Sequence, residues 1–358
     1  MPVTKKSIKR LQALGVSICF EDALKSHDVL CELEKKQQEI QFLERSELIK
    51  CSKVLLFSDG IYQDQNDELL PSHLIAGQIL IGLFNPYLNR DYLQKLASKP
   101  VDMYSLASLP RISRAQSMDM ISSQASLAGY KAVLKASDRI NRVLPMMMSA
   151  AGNIMPLKAF VLGVGVAGLQ AIATAKRLGA NVMAYDIRPE VKEQVESLGA
   201  SFLDVKLNES DEESEGGYAK EVSKQGLLAQ QEALASQLSQ AYIVITTAVV
   251  PGKKAPLLLT KSMIDRMPRG AVIVDMAAAW GGNCEGTTLG ESITTNGVIL
   301  LGEPALHQEL AIPASDLIAE NLVSFLELLI EDGSLVEKKD PILDACLIIS
   351  SKSFLAVG

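Results

Sequence analysis

The chain has few of the side chains that ordinarily run acid–base, metal or redox chemistry. Among 358 residues there are three histidines (His27, His73 and His307), far apart and without ligand spacing, so neither a metal centre nor a histidine relay is readable from them. The five cysteines (Cys19, Cys31, Cys51, Cys284 and Cys346) form no C-x-x-C pair. Their odd number, with no signal peptide ahead of them, reads as a reducing, cytoplasmic compartment. The opening Met-Pro-Val-Thr-Lys-Lys lacks the apolar stretch of a secretory signal. No basic cluster interleaves with aromatics and the net charge is −7, which argues against a nucleic-acid surface. Long uninterrupted apolar runs are missing too. Residues 159–175 approach the length of a bilayer span, but three glycines interrupt them, and residues 73–84 are too short. By this reading the chain has no transmembrane segment of its own, although it can still dock onto a membrane protein.

What is present is a globular composition with ample core: 48% hydrophobic and 22% charged residues, at a length that suits about two domains. The most informative stretch is Phe160-Val-Leu-Gly163-Val-Gly165-Val-Ala-Gly168-Leu-Gln-Ala-Ile-Ala. A buried strand runs into Gly-x-Gly-x-x-Gly, which runs into a helix. Gly163 allows the tight turn, Gly165 lets the backbone approach a pyrophosphate, and Gly168 lets helix and strand pack closely. The helix N-terminus offers free N–H groups and a positive dipole end to phosphates. Asp186 closes the next apolar run, Ala180-Asn-Val-Met-Ala-Tyr-Asp186. A carboxylate about 20 residues downstream accepts ribose hydroxyls and repels a 2′-phosphate, which favours NAD(H) over NADP(H).

Along the chain, strands and helices alternate. Residues 4–15 have helical spacing and end at Gly15, 16–20 alternate as a strand, and 21–50 read as charged helix with Leu30, Leu33, Ile40 and Leu43 on inner faces. Strands are expected at 53–57, 78–84 and 101–104, with a helix at 90–98. A polar stretch without period, 109–119, precedes a long helical run, 120–141. A second unit begins near Leu157, with later strands at 200–203, 242–245, 271–275 and 298–301. This order predicts an α/β fold with parallel sheets and right-handed crossovers. Residues 207–217, acidic and closing on two glycines, read as an exposed mobile loop. A helix at 315–331 resumes a buried face and packs back on the first domain. The expected domains are 1–126 plus 312–358, and 127–311.

Several motifs stand in order: Arg111-Ile-Ser-Arg-Ala-Gln-Ser-Met-Asp119, Ser122-Ser-Gln, Ala128-Gly-Tyr-Lys-Ala, Gly163-Val-Gly-Val-Ala-Gly168, Arg188-Pro-Glu-Val-Lys-Glu-Gln-Val-Glu-Ser, Gly216-Gly-Tyr-Ala-Lys220, Thr246-Thr-Ala-Val-Val-Pro-Gly-Lys253 and Gly281-Gly-Asn-Cys-Glu285. Together, over roughly residues 75–335, the chain resembles the NAD(H)-binding component (domain I, the alpha subunit) of Re/Si-specific, proton-translocating NAD(P) transhydrogenase. The resemblance implies two Rossmann-like, doubly wound domains with a nucleotide cleft between them, and a homodimer. It also implies that NADH bound here gives a hydride to NADP⁺ on a separate subunit. Membrane-embedded partner subunits couple that transfer to proton movement, which places this chain on the cytoplasmic, inner face of the membrane, peripheral through its partners.

Hydride transfer between two nicotinamides moves no proton to or from a hydroxyl or amine, so the site needs positioning and water exclusion rather than an acid or base. The cleft motifs contain no His and no Lys–Asp pair, as that chemistry predicts. By resemblance, the loop 111–119 folds over the nicotinamide. Arg111 contacts the cofactor, Gln116 orients the two nicotinamides, and Asp119 and Ser122 hold the carboxamide and ribose region, so Gln116, Arg111 and Asp119 form the catalytic set. Further cofactor contacts implied are Arg114, Val166, Ala167, Ile187, Arg188, Gly217, Gln230, Ala248 and Val249, with Tyr218 on a lid that closes on bound nucleotide. Arg188 beside Asp186 points toward a 2′-phosphate, but the family carries both residues and is NAD-specific.

Two other readings compete. Alanine dehydrogenase shares the fold but makes and breaks an imine, which requires a proton-transferring His and a Lys for the carboxylate. The positions for its Lys, His and Asp fall near Leu56 or Phe57, Phe84 or Asn85, and Ala279, none of them suitable. A degenerate subunit that binds nucleotide without turnover draws support from the departures. The family's opening strand and Arg-containing stretch are absent, residues 31–74 match poorly, and Leu306-His-Gln-Glu-Leu-Ala-Ile-Pro-Ala-Ser315 replaces a segment with Arg before Pro.

Overall fold

The computed structural model describes residues 4–22, 40–57, 69–84, 90–205, 224–250, 253–350 and 353–354. The chain divides into two compact units, residues 1–124 with 311–358, and residues 125–310. In the first, helix α1 (Lys5–Ala13) starts at a reciprocal cap, in which the Thr4 hydroxyl accepts from the Ser7 amide and the Ser7 hydroxyl accepts from Thr4 N. Strand β1 (Ile18–Glu21) pairs in parallel with β2 (Ile40–Leu43). Then follow α2 (Arg45–Cys51), β3 (Val54–Leu56), α3 (Leu69–His73), β4 (Ile79–Gly82), α4 (Arg90–Ala97) and β5 (Asp102–Ser105). The expected helix over 21–50 is corrected at its end. Ile40-Gln-Phe-Leu43 is a strand because its β-branched and aromatic residues suit pairing with β1, and the helix begins only at Arg45. Residues 23–39 and the acidic stretch 207–217 lie outside the described residues.

After two short 3₁₀ turns, Leu106–Ser108 and Ser113–Met118, the chain enters the long helix α5 (Met120–Arg139), within which the division between the units falls. The second unit opens with a hairpin, β6 (Met147–Ser149) and β7 (Gly152–Ile154). It continues through β8 (Lys158–Leu162), α6 (Val166–Arg177), β9 (Asn181–Tyr185), α7 (Lys192–Ser197), β10 (Ser201–Phe202), α8 (Lys224–Leu238), β11 (Ile243–Thr246), α9 (Lys261–Ile264), β12 (Val272–Asp275), β13 (Ser292–Thr295) and β14 (Val298–Gly302). The sheet order is β10-β9-β8-β11-β12-β14-β13, parallel except for β13 at the edge. Counted within the unit this is 3-2-1-4-5-7-6, a doubly wound sheet whose strand order reverses between β8 and β11. The central strands are buried on both faces, as continuous apolar runs such as Ala159-Phe-Val-Leu162 require. One core packs around Val161, Ile172, Val182 and Val274, and the other around Phe160, Leu162, Leu238 and Ile273.

The chain returns to the first unit through α10 (Ala311–Leu326), the hairpin β15 (Ile330–Glu331) and β16 (Ser334–Leu335), α11 (Pro341–Cys346), β17 (Leu347–Ser350) and β18 (Ser353–Phe354). The last two strands complete a five-stranded sheet, β18-β17-β5-β4-β3, with β17 antiparallel to β5. The helix expected over 315–331 therefore ends earlier, at Leu326, and gives way to a hairpin. Asp332 (φ +46°) and Gly333 (φ +74°) form its turn, and Asn296 (φ +50°) with Gly297 (φ +81°) turn β13 into β14. Both dipeptides are the two-residue hairpin signal, with positive φ at both positions.

Candidate functional site

In the second unit the site is built at the point where strand order reverses. Strand β8 ends at Leu162, Gly163 turns the chain with φ +93°, and Gly165 caps α6. Each glycine answers a different constraint. A Cβ on Gly163 would lie 2.7 Å from the Thr247 hydroxyl, and one on Gly168 would lie 1.9 Å from the Gly163 carbonyl oxygen. A Cβ on Gly165 would meet nothing within 4 Å, so that glycine borders open space at the start of α6. Free N–H groups of the first helical turn face outward there, a cradle that fits a pyrophosphate. Val166 is exposed and Ala167 half-buried beside it. Gly129 lets α5 cross α6 closely, because a side chain would collide with the Ala167 carbonyl at 2.1 Å.

Asp186, following β9, ties the turn to the second strand. Its Oδ2 accepts from the Val164 amide at 2.6 Å, and its Oδ1 accepts from the Arg188 amide at 3.0 Å. The Arg188 guanidinium lies against the same carboxylate, with Nε 3.1 Å from Oδ1 and Nη2 3.2 Å from Oδ2. The acid and the neighbouring arginine are thus one unit, and a ribose reaching Asp186 shares it with Arg188. Ile187, also half-buried, packs against the second core. Tyr185 is buried beside them, its hydroxyl has no hydrogen-bond partner among the described residues, and burial pushes its phenol up.

The far wall was not legible in the sequence. The Thr247 hydroxyl donates to the Gly163 carbonyl at 2.9 Å, joining the ends of β11 and β8. Asn283, fully buried, grips Ala248 from both sides: Oδ1 accepts from the Ala248 amide at 3.0 Å, and Nδ2 donates to the Ala248 carbonyl at 2.8 Å and to Pro256 O at 2.8 Å. Behind it the buried Asp275 carboxylate accepts from the amides of Ala277, Asn283 and Cys284 and from the hydroxyls of Thr246 and Thr287. Five donors replace the water it has lost; hydrogen bonds to a charged group contribute about 1.5–3 kcal/mol each, against a burial penalty of several kcal/mol. Burial next to Asp275 drives the Cys284 thiol well up, so Cys284 is an inert core residue. Ala248 and Val249 are half-buried on this wall.

The remaining sequence-selected residues lie in the first unit. Ser113–Met118 is a 3₁₀ turn, in which residues three apart share a face. Ala115 and Met118 accordingly face the core, while Arg111, Arg114 and Gln116 are exposed. Asp119 and Ser122 bind each other: the Ser122 amide donates to Oδ1 at 2.9 Å and its hydroxyl to Oδ2 at 2.6 Å, which caps α5. Arg114 is committed to Asp340 by a two-pronged ion pair, 2.7 and 2.6 Å. Gly217 and Tyr218 lie outside the described residues, and the backbone at Gln230 lies in α8. Among the described residues there is no cluster of metal-ligating side chains, and no helix is long and apolar enough to cross a membrane.

A parallel sheet that reverses at a Gly-x-Gly-x-x-Gly turn, with an acid closing the next strand, defines a nucleotide-binding protein of Rossmann type. The chain belongs to the alanine dehydrogenase/PNT family: residues 1–128 match its N-terminal domain and residues 132–355 its C-terminal domain. It is similar to an NAD(P) transhydrogenase subunit alpha chain of Rickettsia prowazekii, 48% identical over 257 residues, covering 72% of this chain and 67% of that one. It is similar to NAD(P) transhydrogenase subunit alpha of Haemophilus influenzae, 38% identical over 352 residues, covering 97% and 67%. The crystal structure of transhydrogenase from Sinorhizobium meliloti superposes with a TM-score of 0.82 at 36% identity, covering 98% of this chain and 94% of that one. The matched region spans about two thirds of the length of the curated relatives. The fold is that of the family's two-domain, NAD(P)-dependent oxidoreductases.

Proposed function

We propose that this chain is the NAD(H)-binding component of a proton-translocating NAD(P) transhydrogenase. In this reading hydride passes between NADH held here and NADP⁺ held on a partner subunit. The observation that carries the reading is the glycine turn, where Gly165 faces open space at the start of α6 and Asp186 stands at the end of β9. The nucleotide supplies the hydride chemistry. This chain's residues bind, orient and exclude water.

In this reading the α6 N-terminus and the 163–168 turn hold the pyrophosphate. Asp186 accepts the adenosine ribose hydroxyls and disfavours a 2′-phosphate, which gives NAD(H) its preference. The Ala248–Val249 wall closes the other side of the turn. Arg111 and Gln116, on the exposed edge of their 3₁₀ turn, orient the nicotinamide, and Asp119 with Ser122 holds its carboxamide and ribose. None of these steps moves a proton. The positions that alanine dehydrogenation would need remain apolar: Phe84 is buried with its ring edge-on to Phe57, centroids 5.5 Å apart. That packing supports transhydrogenation over imine chemistry.

Coupling to proton movement then belongs to membrane-embedded partner subunits, which hold this chain at the inner face of the membrane. Pairing with a second copy fits the hairpin β6–β7, where Met147, Met148 and Ile154 are all exposed.

The test mixes the chain with a transhydrogenase NADP(H)-binding component and follows hydride transfer from NADH to an oxidised NADP analogue. NADH and NADPH affinities are measured in parallel by fluorescence. Expected are transfer, tight NADH binding, and NADPH binding weaker by at least about tenfold, with that preference lost in Asp186→Ala. Equal affinity for the two in the wild-type chain sinks the Asp186 argument. NADH binding without transfer leaves the degenerate-subunit reading standing.

A further inference from the structure

We propose that Arg114, Asp340 and Asn321 form a clamp that positions the loop carrying Arg111 and Gln116, so that Arg114 serves hydride transfer through the loop and not as a nucleotide contact. This deepens the transhydrogenase reading and rests on it. It also departs from the expectation that Arg114 touches the cofactor.

The loop's own backbone supplies little to fix it. Its 3₁₀ turn is six residues long, and its starting residue, Ile112, makes no side-chain cap. Burial of Ala115 and Met118 sets its depth in the core. Two further ties set its place along the surface. On one side both prongs of the Arg114 guanidinium bind Asp340, at 2.7 and 2.6 Å. Asp340 is itself immobilised: it caps α11, accepting from the Ile342 amide at 2.8 Å, and Ile342, Leu343 and Cys346 of that helix pack in the same core as Ala115 and Met118. A planar fork on a fixed carboxylate defines both distance and orientation. On the other side Asn321 of α10 is buried. Its Nδ2 donates to Ser117 O at 2.7 Å, and its Oδ1 accepts from the Ser123 hydroxyl at 2.8 Å. Gln116 sits between the two ties, one residue from Ser117 and two from Arg114.

Positioning matters here because hydride transfer needs the reacting atoms about 3–3.5 Å apart, and a misplacement of about 1 Å costs on the order of a hundredfold in rate. An arginine that reached for the nucleotide would have to leave Asp340, and the loop would lose its outer tie.

The experiment uses the full chain with the NADP(H)-binding component, measuring single-turnover hydride transfer and NADH affinity for Arg114→Gln, Asp340→Asn and the double variant. Asparagine at 340 keeps the helix cap and removes only the ion pair. Each single variant should slow transfer by about tenfold, with NADH affinity within about twofold of wild type, and the double should be no slower than either single. Asn321→Asp, which keeps the acceptor for Ser123 and loses the donor to Ser117, should also slow transfer without weakening NADH. The proposal is overturned if Arg114→Gln weakens NADH binding while Asp340→Asn does not, if the two effects multiply, or if transfer is unchanged. If the wild-type chain transfers no hydride, the functional reading fails, and amide hydrogen exchange over 113–119 decides the clamp. Equal acceleration in both single variants supports it, and unchanged exchange overturns it.

Discussion

The two loops that carry the site residues are held in opposite ways. In the second unit, the turn 163–168 is shaped by its own backbone: Gly163 takes φ +93°, and a Cβ on Gly168 would stand 1.9 Å from the Gly163 carbonyl. In the first unit, the 3₁₀ turn Ser113–Met118 tolerates many sequences, and its place is set by partners 204 and 226 residues away, Asn321 and Asp340. A backbone-built site can be made by only one residue type at each key position. A site tied by distant side chains uses residue types found anywhere on a protein surface.

The sharpest test of this contrast compares two glycines of one motif. Gly168→Ala forces a methyl into a carbonyl and should destabilise the chain by about 3 kcal/mol or more, read as a fall in Tm. Gly165→Ala adds the same methyl to open space, so Tm should stay near wild type while NADH affinity falls at least about tenfold. A Gly165→Ala chain that bound NADH normally would break the backbone half of the comparison.

Asn283→Ala should have the next largest effect. It leaves Ala248 N, Ala248 O and Pro256 O without their partner in a buried site, and each orphaned group costs about 1–3 kcal/mol. Denaturant unfolding should register about 3 kcal/mol, with NADH affinity falling alongside. A loss below about 1 kcal/mol would mean that the 246–250 segment supports itself, as the glycine turn does.

The smallest effect lies at the exposed ion pair. The Arg114 guanidinium holds the Asp340 carboxyl below its usual range, helped by the Ile342 amide. The folded state therefore favours the ionised acid, and the pair stabilises above the ordinary aspartate pKa, about 4. That contribution is lost as pH falls through the depressed value. The Tm gap between wild type and Asp340→Asn should be small at pH 7 and should close on acidification; a gap that widens in acid would contradict the assignment.

Legibility followed the same division. The Gly163–Gly165–Gly168 turn, Asp186, the order of β8 to β12 and the long helix α5 were readable, because periodicity and irreplaceable residues mark them. The Asn296-Gly297 and Asp332-Gly333 turns carried a readable hairpin signal that apolar periodicity obscured. Ile40–Leu43 read as helix because its strand identity depends on pairing with β1. Strands β17 and β18 join the first unit's sheet only after the entire second unit has intervened, and short apolar segments of that kind have no local mark.

By itself the sequence determined that a dinucleotide turn exists, where it lies, and which acid closes it, since these follow from sterics within a few residues of backbone. Tertiary structure alone decided that Arg114 belongs to Asp340, that Asn321 holds the Gln116 loop, and that Asn283 on a buried Asp275 braces Ala248. Such contacts form only once the chain has folded, between ordinary residues whose separation in sequence says nothing of their distance in space.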